Sequence, residues 1–83
     1  IRSIGIVSGG ASRTVTEALS DGLDLFLTGE VDHSIYHEAL EGGINLLGGG
    51  HYITEVYGVQ ALSEHLAERF GIEVAFIANP TGL

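Results

Sequence analysis

The chain contains no cysteine, which rules out a disulfide framework, a thiolate zinc site and a thiol nucleophile. Any metal it binds must be held by histidine, aspartate or glutamate. Positive charge is nearly as scarce. Lysine is missing, and Arg2, Arg13 and Arg69 are scattered against 11 acidic residues, giving a net charge of -8. Phosphate-driven binding of nucleic acid needs clustered cations, so it is not expected, whereas metal cations suit this balance. No apolar run approaches the roughly 20 residues that cross a bilayer, and no signal-peptide pattern opens the sequence. No membrane association is therefore expected, and a cytoplasmic location is the default. No serine sits in a nucleophile-elbow context, which argues against triad hydrolysis.

Glycine, by contrast, is plentiful, with 13 in 83 residues. Between the glycines, short apolar runs alternate with helical patterns, the rhythm of βαβ units. "SIGIV" (3–7) reads as a buried strand. "TVTEAL" (14–19) reads as a helix, with Thr14 and Glu17 spaced as a capping box and Val15, Ala18 and Leu19 on one face. "LDLFL" (23–27) is a second strand, followed by a helix with Ile35, Ala39 and Leu40 on its apolar face and Gly42 and Gly43 at its end. "INLL" (44–47) is a third strand. The longest helix runs from Tyr52 to Phe70 with Val59, Leu62, Leu66 and Phe70 at helical spacing, and "IEVAFIA" (72–78) reads as a fourth strand.

The expected fold is α/β, a Rossmann-like parallel sheet of about four strands with three crossover helices. A chain of this length fits at most one small domain, burying only about 60% of its unfolded surface. Because residue 1 already opens a strand-like run, residues 1–83 read as a single α/β segment of a longer, two-half protein. In such a sheet the loops leaving the strand carboxyl ends share one edge, where ligands bind. "SGGAS", "TGEVDH" and "GGGHYITE" all leave strands at that edge.

His51 and Glu55 stand four residues apart at the start of the long helix, on one face and close enough to bind one cation. Imidazole with carboxylate suits zinc, iron or manganese better than calcium. The alternative is that Glu55 complements the positive end of the helix dipole while His51 is a loop residue near the helix start. In "TGEVDHSIYHEA" (28–39), His33 and His37 repeat the same spacing, again as metal ligands or as a solvated face. Glu30 gains weight by closing a strand at the ligand edge, and His37 by lying about a turn into the helix behind it. "VSGGAS" invites an anion-binding reading but lacks the spacing of a nucleotide loop, so a plain turn is the better one.

"TGE" (28–30), "YHEA" (36–39), "GHYITE" (50–55) followed by "GVQAL" (58–62), and "NPTGL" (79–83) together resemble the C-terminal half of the dinuclear-metal-centre hexameric proteins. These are the interacting-factor-three-like proteins, often labelled type 2 GTP cyclohydrolase I. The resemblance implies that His51 and Glu55 are metal ligands within a centre of two divalent ions per subunit. It also implies that His37 lines the same pocket, that Glu30 matches the acidic residue of the TGE or TGD motif, and that the remaining ligands lie outside these residues. A homohexamer is implied as the assembly. The function expected on that basis is a metal-dependent hydrolase acting on a nucleotide or a purine- or pterin-like ring, with His37 and Glu30 as proton-transfer groups. The competing expectation is a non-catalytic metal-binding scaffold that acts through protein partners.

Overall fold

The computed structural model describes all residues, 1–83. Three strands, β1 (Ile4–Val7), β2 (Leu25–Thr28) and β3 (Asn45–Gly48), form a parallel sheet in the order β1-β2-β3. A single 3₁₀ turn, Ser12–Thr14, leads into α1 (Val15–Ser20) between the first two strands. A second, His33–Ile35, leads into α2 (Tyr36–Gly42) between the last two. The 20-residue α3 (His51–Phe70) follows β3 directly. This is the parallel α/β architecture that the alternation of short apolar runs and helical patterns foretold. No helix is long and apolar enough to cross a membrane.

The core lies on one face of the sheet, where Val15 and Ala18 of α1, Ile35 and Ala39 before and within α2, Phe26 of β2 and Ile44 form one buried cluster. Phe26 is 1% exposed and at the centre of the sheet. The opposite face carries the alternate residues of the same strands, in register: Ile4 beside Leu25, and Ile6 beside Leu27 and Leu47. Ile4, Ile6 and Leu47 are exposed there, although parallel strands are usually apolar because both faces are covered.

Asp24 ties the strands together at their amino ends. Its carboxylate accepts hydrogen bonds from the Arg2 and Ser3 amides at 2.7 and 3.0 Å, while its carbonyl accepts from the Asn45 side chain at 2.8 Å. The two amide bonds, that of Arg2 foremost, hold the Asp24 carboxyl below its ordinary value.

Three local expectations are corrected. Thr14 is not the capping half of a box with Glu17: its hydroxyl donates back to the Ala11 carbonyl at 2.7 Å and no side chain caps α1. The stripe Val59, Leu62 and Phe70 keeps helical spacing but lies exposed, because α3 points away from the sheet and buries only Val56. Residues 72–78 do not form a fourth strand, leaving three strands and two crossovers. The reason is geometric. A 20-residue helix carries the chain about 30 Å. After Gly71, in the left-handed conformation at φ 64°, the segment runs back beside α3. Phe76 and Ile77 there share a hollow with Val56 and Val59, and the segment pairs with no strand of the sheet.

Truncating Phe26 to alanine should cost about 3–5 kcal/mol of unfolding free energy, read from denaturant melts of the protein that carries this chain; a loss under about 1 kcal/mol would mean that the cluster is not the core. Because the folded carboxyl of Asp24 is depressed, its contribution is present above the unfolded value of 3.8 and lost as the pH falls through the folded value. Asp24→Asn should therefore flatten the acid limb of stability against pH, and an unchanged limb would remove Asp24 from that role.

Candidate functional site

The carboxyl ends of all three strands meet at one edge, as the topology requires. The loop after β1 brings Gly9, the loop after β2 brings Glu30, and the turn after β3 opens directly into α3 with His51 in its first turn. Gly50 precedes that turn at φ 92°, and its amide donates to the Gly29 carbonyl at 2.8 Å. The path from strand to helix is thereby closed by backbone alone.

The three loops interlock around Gly9, which is buried and lies at φ 71°. Its amide donates to the Thr54 hydroxyl at 3.1 Å, and its carbonyl accepts from the Glu30 amide at 3.0 Å and the Thr28 hydroxyl at 3.3 Å. Thr54 sits in the first turns of α3, where its hydroxyl can donate to the Gly50 carbonyl at 2.8 Å. The Gly9 amide is thus committed to the protein, which supports the plain-turn reading of "SGGAS" over anion binding. Ser12, 2% exposed, holds the Glu30 segment from the other side: its hydroxyl donates to the Glu30 carbonyl at 2.7 Å and accepts from the Asp32 amide at 3.1 Å.

Within this frame His51 lies between two carboxylates. Its Nδ1 is 2.6 Å from Oε1 of Glu30, and its Nε2 is 3.3 Å from Oε1 of Glu55. All three side chains are partly exposed and line a pocket of about 360 Å³ together with Tyr52, Thr81 and Leu83. The last two come from the returning C-terminal segment, which is anchored by the Tyr52 amide donating to the Leu83 carbonyl at 2.9 Å. The hydrogen bond with Glu30 raises the pKa of His51; the charges of Glu55 and Glu30 add to the rise, and partial desolvation opposes it. With no cation present the carboxylates favour imidazolium, so a metal at Nε2 binds in competition with a proton.

The donor set fits part of a metal site. Ligands each roughly 2.0–2.2 Å from one cation stand about 3–3.5 Å apart at tetrahedral or octahedral angles, and Nε2 of His51 and Oε1 of Glu55 are separated by 3.3 Å. No group of three histidine, aspartate or glutamate side chains in the chain is placed to hold a metal ion. Glu30 does not make a third ligand because it engages the opposite ring nitrogen.

Of the residues singled out by sequence, Glu30, His51 and Glu55 converge. His37 does not join them: it is exposed on α2, edge-on to Tyr36 with ring centroids 5.1 Å apart, and it does not line the pocket. His33, Asp32 and Glu38 are exposed, as a solvated face would be. Sequence reasoning missed Gly9, Ser12, Thr54 and Thr81. Thr54 had a signal, since it stands inside "GHYITE"; Ser12 had none, because its role depends on burial against a loop 18 residues away.

Comparison with known proteins gives the family and supports the fold. The profile of the Duf34/NIF3 (NGG1p interacting factor 3) family matches residues 1–82. The chain is 43% identical over 83 residues to the GTP cyclohydrolase 1 type 2 homolog of Deinococcus radiodurans, covering all of this chain and 32% of that protein. It is 46% identical over 83 residues to the homolog of the same name from Archaeoglobus fulgidus, covering all of this chain and 34% of that protein. Among solved structures, TTHA1606 from Thermus thermophilus superposes with a TM-score of 0.85 at 45% identity, over 94% of this chain and 31% of that one. The protein ybgI, described as of unknown function, superposes with a TM-score of 0.88 at 37% identity, over 94% of this chain and 32% of that one. The chain thus spans about a third of the length of the relatives it matches.

The glycine contacts are directly testable. A Cβ on Gly29 would stand 2.6 Å from the Gly9 carbonyl oxygen and 2.7 Å from the Thr54 hydroxyl, whereas one on Gly58 would meet nothing within 4 Å. Gly29→Ala should therefore destabilise by about 1–3 kcal/mol. Gly58→Ala, inside α3, should stabilise by roughly 0.5–1 kcal/mol. Melting temperatures that move in the same direction for both would contradict the interlocked loops.

Proposed function

We propose that this chain, which belongs to the Duf34/NIF3 family, supplies His51 and Glu55 as ligands to a divalent-metal centre in a metal-dependent hydrolase. The observation that carries this reading is the pair itself: Nε2 of His51 and Oε1 of Glu55 converge 3.3 Å apart at the ligand edge of the sheet. Zinc, iron and manganese suit the donors. With only two ligands from these residues, the remaining ligands and the second ion of a dinuclear centre belong to other parts of the protein. The name carried by the relatives, GTP cyclohydrolase 1 type 2 homolog, supports a nucleotide or a purine- or pterin-like ring as substrate. A homohexamer in the cytoplasm is proposed on the resemblance noted in the sequence.

A divalent ion at this position would supply electrostatic stabilisation of charge developing on the substrate. The chain's own contribution is to bind and orient. The glycine-tight turn before α3 fixes the start of the helix, one helical turn sets the spacing of the two ligands, and Tyr52, Thr81 and Leu83 wall the pocket. Of the two groups expected to move protons, Glu30 lines the pocket; His37, exposed on α2, would need a substrate or neighbouring chain to reach outside it.

That placement of His37 favours a second reading, a metal-binding scaffold without catalysis that acts through protein partners. Turnover separates the two. In the protein that carries this chain, His51→Ala and Glu55→Ala should each lower zinc affinity by more than the roughly 10–100-fold typical of changes behind a ligand, read by elemental analysis and competition with a chelator. Equal metal content in both variants and the wild type would sink the ligand assignment. Metal-loaded protein that leaves GTP and a panel of related nucleotides unchanged would sink the hydrolase and leave the scaffold.

A further inference from the structure

We propose that Glu30 is the positioning residue of this site: its carboxylate fixes the tautomer and ring plane of His51, so that Nε2 presents its lone pair to the cation shared with Glu55. The inference deepens the metal-site reading and rests on it for its consequence, though the tautomer is a property of the protein without metal.

The two contacts of the imidazole are unequal. At 2.6 Å, Nδ1 to Glu30 is at least as short as the roughly 2.7–2.9 Å of charge-assisted N–H···O bonds. At 3.3 Å, Nε2 to Glu55 is longer than a well-formed one. In a neutral imidazole a single proton is shared between these nitrogens, and the better acceptor decides where it stays. Glu30 therefore keeps it on Nδ1 and leaves Nε2 free. Without Glu30 the remaining acceptor is Glu55, which would draw the proton to Nε2, the nitrogen a cation needs, and would itself be engaged in accepting it.

Glu30 can impose this orientation because its own backbone is fixed from both sides. Its amide donates to the Gly9 carbonyl at 3.0 Å, and its carbonyl accepts from the buried Ser12 hydroxyl at 2.7 Å. Its carboxylate arrives from the loop after β2, whereas both ligands sit on α3, so the ring is gripped from a separate element. A Cβ on Gly10 would stand 3.5 Å from Cε1 of His51 and 3.7 Å from Oε2 of Glu30, in ordinary contact, so the approach of the two side chains does not depend on glycine there.

The test uses the protein that carries this chain, stripped with a chelator, with His51 followed by imidazole ¹⁵N NMR at a pH where it is neutral. Wild type should show the proton on Nδ1, Glu30→Ala should move it to Nε2, and Glu30→Gln, whose amide oxygen still accepts, should restore Nδ1. Zinc affinity should fall by about 10–100-fold in Glu30→Ala and recover most of that loss in Glu30→Gln. A purely structural role would lower the melting temperature without moving the proton. The proposal is overturned if Glu30→Ala keeps the proton on Nδ1 while wild type binds zinc. A wild type that takes up no zinc, yet moves its proton on the alanine substitution, overturns the metal reading instead.

Discussion

The contact on which the site depends is the approach of three backbones around Gly9. Its amide meets the Thr54 hydroxyl, its carbonyl takes the Glu30 amide, and Gly29 presses against it so closely that a methyl group would not fit. Each hydrogen bond is modest, about 1 kcal/mol net. Their combined effect is geometric, because they lock the loops after β1 and β2 to the first turns of α3. A carboxylate from one loop and an imidazole from the helix can then meet at 2.6 Å although they are 21 residues apart in the chain.

That lock also decides the electrostatics. An imidazole held between two carboxylates is pulled toward its charged form, as the raised pKa of His51 records. The same anionic surroundings that favour a proton favour a divalent cation, and they offset the positive helix end that His51 and Glu55 occupy. The overall charge of -8 acts in the same sense at longer range, since a negatively charged protein draws cations toward itself. The division of labour between the carboxylates follows from position: Glu55 shares the ligand edge of the ring, and Glu30 holds the opposite edge.

The rest of the architecture is built to present this edge. Asp24 gathers the strands at their amino ends, Phe26 and its neighbours seal one face, and the strand carboxyl ends are left to the loops. Ile4, Ile6 and Leu47 stay open on the other face, and so do Val59, Leu62 and Phe70 along α3. Apolar residues at strand and helix spacing are thus exposed on both the sheet and α3, and the relatives are about three times as long. The site has the same character: His51 and Glu55 converge, and no third histidine, aspartate or glutamate of the chain is placed to complete a metal-binding group with them.

The order and type of the elements were legible in the residues, because glycine punctuation and apolar spacing are local signals that survive without tertiary context. So were the ligand edge, which follows from parallel topology, and the pairing of His51 with Glu55, which follows from one helical turn. The strand-like "IEVAFIA" misled because its composition describes a segment suited to a sheet, while in the folded chain Phe76 and Ile77 lie against Val56 and Val59 of α3 instead. The roles of Ser12 and Glu30 were not legible because their partners lie far along the chain. A side chain's partner across 18, 21 or 45 residues is set by where loops land, and local spacing carries no record of that. By itself the sequence determined which polar groups stand one helical turn apart; the folded chain decided which nitrogen of His51 meets which carboxylate, since only the close packing of Gly9, Gly29 and Thr54 brings Glu30 to Nδ1.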